Sequence, residues 1–195
     1  MFSCNKDYEF LGEYLLGSLV NTNPYSATET LVFQDSEGEE VIFLGRYRSR
    51  TTHEAYRTKD AYLEESYEFE TDDCKFSETN GKYEFKIHLK SSYDFRCTML
   101  IMFYPNGSTN YGSCVYSSWY DLPLLNDNLK SDQFYIDSLL ILGKYYYNVI
   151  GAKLDKRYCS NDTLISRYLY YNITHGILKI DLPDNSSLEF KKIMQ

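Results

Sequence analysis

The chain has 195 residues, a net charge of -8, 17% aromatic residues and 25% charged ones, with 21 Tyr against a single Trp. That length supports one domain or two small ones around a sizeable core, and the composition excludes a disordered or fibrous chain. The acidic balance argues against nucleic acid or an anionic membrane surface as a partner, since phosphate-rich surfaces attract basic proteins.

At the start, Met1-Phe2-Ser3-Cys4 has the form of the last residues of a bacterial lipoprotein signal. Ser3 is the small residue, Cys4 the lipid acceptor, and polar Asn5-Lys6-Asp7 follows. Residues 1–7 then read as signal remnant and tether, and 8–195 as a single antiparallel β domain. No apolar run is long enough for a membrane-spanning helix. Asp7 to Leu16 fits a short helix or an edge strand. Thr30 to Gln34 and Glu40 to Leu44 read as strands around the acidic turn Asp35-Ser36-Glu37-Gly38-Glu39, where the glycine supplies positive φ. Arg46, Arg48 and Arg50 alternate and would share one strand face, as an anion-binding stripe or as a charged edge that blocks aggregation.

Asp60 to Ser66 suggests one or two helical turns with Tyr62 and Leu63 inward. Tyr67-Glu68-Phe69-Glu70 alternates as a strand. The strongest signal follows: Tyr83, Phe85, Ile87 and Leu89 alternate with Glu84, Lys86, His88 and Lys90, which puts one set in a core and the other in water. Cys97 to Tyr104 is an apolar run that stops at Pro105-Asn106-Gly107-Ser108, and Asn-Gly suits a tight hairpin turn with Thr109 to Tyr116 returning. Ser117 to Ser131 reads as a long connection. Phe134 to Leu142 and Tyr145 to Ile150 bracket Gly143-Lys144 as a further hairpin. Leu164 to Tyr171, Leu178 to Leu182 and Leu188 to Phe190 form a meander. The expected fold is mostly β: an antiparallel β-sandwich or half-open β-barrel with short helical segments.

Gly143-Lys144-Tyr145-Tyr146-Tyr147-Asn148-Val149, then Leu169-Tyr170-Tyr171-Asn172, then Gly176-Ile177-Leu178-Lys179-Ile180 resembles a recurring arrangement in small lipoproteins of the Bacteroidota. There a Gly-Lys-x-Tyr-x-Asn-Val strand precedes a Tyr-Tyr strand and a Gly-Ile-aliphatic strand. The likeness covers about residues 134 to 193. It implies a cell-envelope protein of antiparallel β structure, anchored to a membrane through a lipid on Cys4. It carries over no catalytic residue. His175 stands where such proteins often have an acidic-aromatic pair.

Candidate chemistry is sparse. The five cysteines, Cys4, Cys74, Cys97, Cys114 and Cys159, contain no Cys-x-x-Cys. If Cys4 carries lipid, the other four allow three pairings. His53, His88 and His175 have no zinc-motif spacing, and no nucleophile elbow, phosphate loop or dinucleotide fingerprint occurs. No cofactor is expected. The calcium reading of Asp181…Asp184-Asn185 competes with a plain β-turn. Tyr145, Tyr146, Tyr147, Tyr168 and Tyr170 form the candidate binding surface, because aromatic platforms stack on sugars or hold apolar ligands. The expected function is that of a non-enzymatic cell-envelope lipoprotein, binding a small molecule or glycan or serving a structural role. The rival is a secreted glycan hydrolase using paired carboxylates. A third reading is a cytoplasmic protein starting at Met1.

Overall fold

The fold is described from a computed structural model covering residues 7–59, 63–92, 97–105, 115–120, 133–153, 168–182 and 184–194. Twelve strands are present: β1 (Asp7–Tyr14), β2 (Thr30–Asp35), β3 (Glu40–Thr58), β4 (Leu63–Glu78), β5 (Tyr83–Ser91), β6 (Cys97–Pro105), β7 (Val115–Tyr120), β8 (Gln133–Ile141), β9 (Lys144–Lys153), β10 (Tyr168–Asn172), β11 (Gly176–Asp181) and β12 (Ser187–Met194). The described helix is a single 3-10 helix, Gly17–Thr22. The strands build one sheet in the order β7-β6-β5-β4-β3-β2-β12-β11-β10-β9-β8. Neighbours along this path are antiparallel. The fold is therefore mostly antiparallel β, as the alternation indicates.

Of the two alternatives for Asp7 to Leu16, the strand is the one found: Asp7–Tyr14 pairs in parallel with β4. Two local expectations change. The helical turns expected over Asp60 to Ser66 are absent from the described part of that segment, because Leu63 to Ser66 belong to β4. There Glu65 and Ser66 are buried, and Glu64 to Ser66 pair with β1 on one side and β3 on the other, so the sheet overrides the local pattern. Ser117 to Tyr120 also lie in a strand, β7, rather than in a connection. Thr98 faces Tyr120 and Phe103 faces Val115, so Asn106-Gly107 is not at the midpoint of that hairpin. Asn106-Gly107, Cys4, Cys114, Cys159 and Leu164 to Arg167 lie outside the described residues.

The sheet must curl. The Tyr25 ring packs on Phe76 of β4 and Phe85 of β5, with centroids 5.2 and 6.3 Å apart. Its hydroxyl meets the start of β11. In a flat sheet β5 and β11 would stand five strand spacings apart, roughly 24 Å. One tyrosine cannot span that gap. Similarly, Tyr146 of β9 reaches Phe190 of β12 at 6.3 Å. The concave side is filled by these side chains and by a strap, residues 15–29, that crosses it carrying Leu16, Tyr25 and Ala27 into the core.

β4 changes neighbour along its length. Its residues Leu63 to Phe69 pair with β1, and Thr71 to Ser77 pair with β5. Ser91 sits at the changeover. Its hydroxyl accepts the Glu70 N–H at 2.8 Å and donates to the Tyr14 carbonyl, satisfying backbone groups where the ladder breaks. β3 behaves differently. It pairs with β2 from Glu40 to Leu44, and the Gly45 N–H donates one step further, to the Glu29 carbonyl of the strap at 3.1 Å. Beyond Gly45, among the described residues, its strand partner is β4, as far as Thr58.

The β8–β9 hairpin turns through Leu142 and Gly143, with Ile141 facing Lys144. Both turn residues have positive φ, 47° and 80°, as a type I′ turn demands. Glycine accepts this freely, but leucine brings its Cβ close to the next carbonyl oxygen. Leu142→Asn, which restores the favoured Asn-Gly pair, should stabilise the protein by about 1 kcal/mol in urea unfolding.

Candidate functional site

The five candidate tyrosines do not form one platform. Tyr168 and Tyr170 lie two residues apart on β10 and flank Phe134 of β8, with centroids 5.6 and 6.3 Å away. Phe134 lies over Gly151 of β9, where an added Cβ would come within 2.3 Å of its ring. The glycine thus makes the bed for the aromatic ring. The Tyr170 hydroxyl donates to Asp181 at 3.2 Å. Burial, and then the Asp181 charge, pushes its pKa up to about 12.

Tyr145 and Tyr147 point into solvent, 58% and 63% exposed. Leu140 of β8 lies directly opposite Tyr145 and is also exposed, as is Leu142 in the turn. Directly opposed residues share a sheet face, so Leu140, Tyr145 and Tyr147 make one open apolar strip. Tyr146 projects the other way and is 3% exposed. Its ring meets His175 edge-on at 5.1 Å and carries Lys144 over its face at 4.9 Å. Asn148, at φ 55°, then interrupts alternation, and the buried residues Tyr146 and Val149 are three apart. The Asn172 side chain donates to the Tyr147 carbonyl at this irregularity. Leu140 is the member of the strip that the sequence reading missed. Its signal was the hairpin register, which required placing the turn at Leu142-Gly143 rather than at Gly143-Lys144.

The second built feature is the clamp on the strap. Arg48 donates from Nε and Nη2 to the two carboxylate oxygens of Asp72, at 2.9 and 2.8 Å. The same guanidinium donates to the carbonyls of Val20 (3.2 Å) and Tyr25. Asp72 is 1% exposed, so the carboxylate is solvated by its arginine rather than by water. Its hydrogen bond holds the Arg48 pKa above the usual value. Arg50 forks onto Glu70 at 3.0 and 2.7 Å, and Glu70 also accepts the Leu16 N–H at 2.8 Å. The Arg50 hydrogen bond holds the Glu70 pKa low. Arg48 and Arg50 are thus engaged with carboxylates of the neighbouring strand, which argues against a free anion-binding stripe. Beyond Gly45, whose N–H donates to the Glu29 carbonyl, the outer side of β3 has no strand partner among the described residues.

Remaining candidates resolve into structural contacts. His88 Nδ1 pairs with Asp73 at 2.7 Å, alongside Lys86 at 2.7 Å. His53 shares a hydrogen bond with the Thr71 hydroxyl at 2.9 Å and stacks on Phe69 at 5.0 Å. His175 lies in a turn, and burial, then the Lys144 charge, lowers its pKa. Cys74 is buried against the strap, and burial pushes its thiol up to about 12, which makes it unreactive. Asp184 accepts Ser186 N–H and Asn185 adopts φ 69°, a turn. Among the described residues no group of three or more His, Cys, Asp or Glu side chains is arranged to hold a metal ion. Among the described residues, the carboxylates with displaced pKa values, Glu29, Glu40, Glu65, Glu70, Asp73 and Asp184, are displaced downward.

Scans of the chain against protein-family models, curated proteins and solved structures give no match.

Proposed function

We propose that the protein is a non-enzymatic cell-envelope lipoprotein, tethered through Cys4, that binds a small molecule or glycan through the Leu140–Tyr145–Tyr147 strip. The observation that carries the reading is that exposed Tyr145 and Tyr147 share one sheet face with exposed Leu140. Tyrosine offers a flat apolar face with a polar tip, which suits sugar rings and amphipathic ligands. The runner-up is the glycan hydrolase. A glycosidase needs two carboxyls flanking the scissile bond, one of them kept protonated by a raised pKa.

The test uses an immobilised oligosaccharide panel and the full chain. Tyr145→Ala with Tyr147→Ala should abolish capture while leaving the urea midpoint unchanged, because both side chains are already in water. Tyr146→Ala should instead lower stability by about 3 kcal/mol or more through the cavity it leaves. Retained capture in the double variant rules out the strip. Metabolic labelling with an alkyne fatty acid, lost in Cys4→Ser, checks the tether. A wild-type protein that takes up no label favours the cytoplasmic reading.

A further inference from the structure

Leu142 in the β8–β9 turn and Ile173 in the β10–β11 turn are 46% and 42% exposed, and the proposed function uses neither. The two turns belong together. β9 pairs with β10, the Asn172 side chain donates to the Tyr147 carbonyl, and His175 meets the Tyr146 ring, so the second turn sits against the first hairpin. Leu142 and Ile173 therefore lie beside the Leu140–Tyr145–Tyr147 strip. Exposed apolar side chains scattered singly need no explanation. Here five of the eleven large ones among the described residues gather on two adjoining hairpins, which makes a patch.

The chemistry around the patch selects its occupant. The chain has 28 Asp and Glu, yet none falls between Ser138 and Lys153 or between Tyr168 and Ile180, the stretches that carry these turns. The β2–β3 turn, by contrast, holds Asp35, Glu37, Glu39 and Glu40. Lys144 is exposed, its ammonium over the Tyr146 ring. A chain of net charge -8 is thus locally positive beside its exposed aliphatics. Leu142 stands at the turn, and Lys144 and Tyr145 follow within roughly 10 Å along the hairpin. A bilayer surface matches that order, with aliphatic groups in the acyl layer and tyrosine and lysine at the headgroups. A second copy is the poorer match. A stable dimer buries about 800 Å² on each partner, more than two turn tips and a narrow strip supply, and two chains of charge -8 repel.

We infer that Leu142 and Ile173 dock the two hairpins on a lipid bilayer with anionic headgroups, Lys144 facing lipid phosphate. The inference rests on the cell-envelope reading, which puts a membrane within reach, and goes beyond the strip: the tyrosines keep their ligand and the aliphatic tips take the lipid. A lipid on Cys4 holds the chain at the surface, and the tips fix which side of the sheet faces it.

The experiment is flotation of the full chain carrying Cys4→Ser, which excludes an anchoring lipid, with phosphatidylcholine vesicles containing one quarter phosphatidylglycerol. This chain should float. Leu142→Asn with Ile173→Ser should lower its partition coefficient about tenfold or more, at an unfolding midpoint no lower than the parent's, because both side chains are already in water. Lys144→Glu should lower it about fivefold or more on these vesicles and leave binding to pure phosphatidylcholine unchanged. No flotation of the Cys4→Ser chain overturns the inference, as does flotation untouched by the tip substitutions. Sedimentation as a dimer that the tip substitutions convert to a monomer also overturns it, since the occupant is then a second copy. Oligosaccharide capture reads the strip separately: capture without flotation sinks the lipid contact alone, and flotation without capture sinks the strip alone.

Discussion

Tyr25→Ala is expected to destabilise the protein by about 3–5 kcal/mol, the loss typical of a large aromatic deleted from a packed core. The side chain is fully buried among Phe76 and Phe85. Its hydroxyl accepts the Ile177 N–H at 2.7 Å and donates to the His175 carbonyl at 3.1 Å. Burial accordingly raises its pKa far above the ordinary phenol value. Tyr25→Phe keeps the ring and strands those two backbone groups, at an expected cost of about 1–3 kcal/mol. Gly176 is the other half of this contact. At φ 80° it is left-handed, and an added Cβ would lie 2.1 Å from the Tyr25 ring. Gly176→Ala should therefore cost about 1–3 kcal/mol from overpacking, with about 1 kcal/mol more from the backbone. Combined with Tyr25→Ala the overpacking disappears and only the backbone part remains. Urea unfolding of the four proteins measures this. Additivity of the two single changes would contradict the contact.

Asp72→Ala should cost about 3 kcal/mol, because it leaves the partly buried Arg48 charge without its carboxylate. Arg50→Ala should cost about 1–3 kcal/mol, because it leaves the buried Glu70 carboxylate with the Leu16 N–H but without its cation. Replacing both members of a buried ion pair by apolar residues often restores stability. Here it should not, because Arg48 also holds the carbonyls of Val20 and Tyr25. The variant Arg48→Met with Asp72→Leu should stay well below wild type in its urea midpoint, at an unchanged denaturant slope. Full recovery would mean that the strap is held by its apolar side chains alone.

The alternating strands were legible because burial on one face imposes a period of two. Phe85 to Lys90 follows it, as do Leu188 and Phe190, whereas Glu84 is buried and paired with Lys75 and Ser77. What stayed hidden depends on partners distant in sequence. The strap has no period, and Tyr25 gains its role from Phe76, Phe85 and Gly176. Leu63 to Ser66 looked helical because the parallel neighbour that makes it a strand is β1. The tyrosine surface was half visible. Strand parity separates Tyr146 from Tyr145 and Tyr147, but the left-handed Asn148 and the bulge between Tyr170 and Tyr171 decide which rings meet. Neither is encoded by a glycine or proline.

The junction of β2 with β12 has a consequence for how the molecule forms. Leu188 pairs with Asp35 and Met194 with Thr30, so the sheet is joined across most of the polypeptide's length. Such pairings carry a high loop-closure entropy and slow the search for the native state. On a ribosome, β2 would emerge long before its partner and wait with one side unpaired. The hairpins β3–β4 and β8–β9 can assemble early, but Tyr25 cannot dock until the segment around Ile177 is made. Late closure of this kind leaves an interval in which a chaperone has open β2 edge to hold.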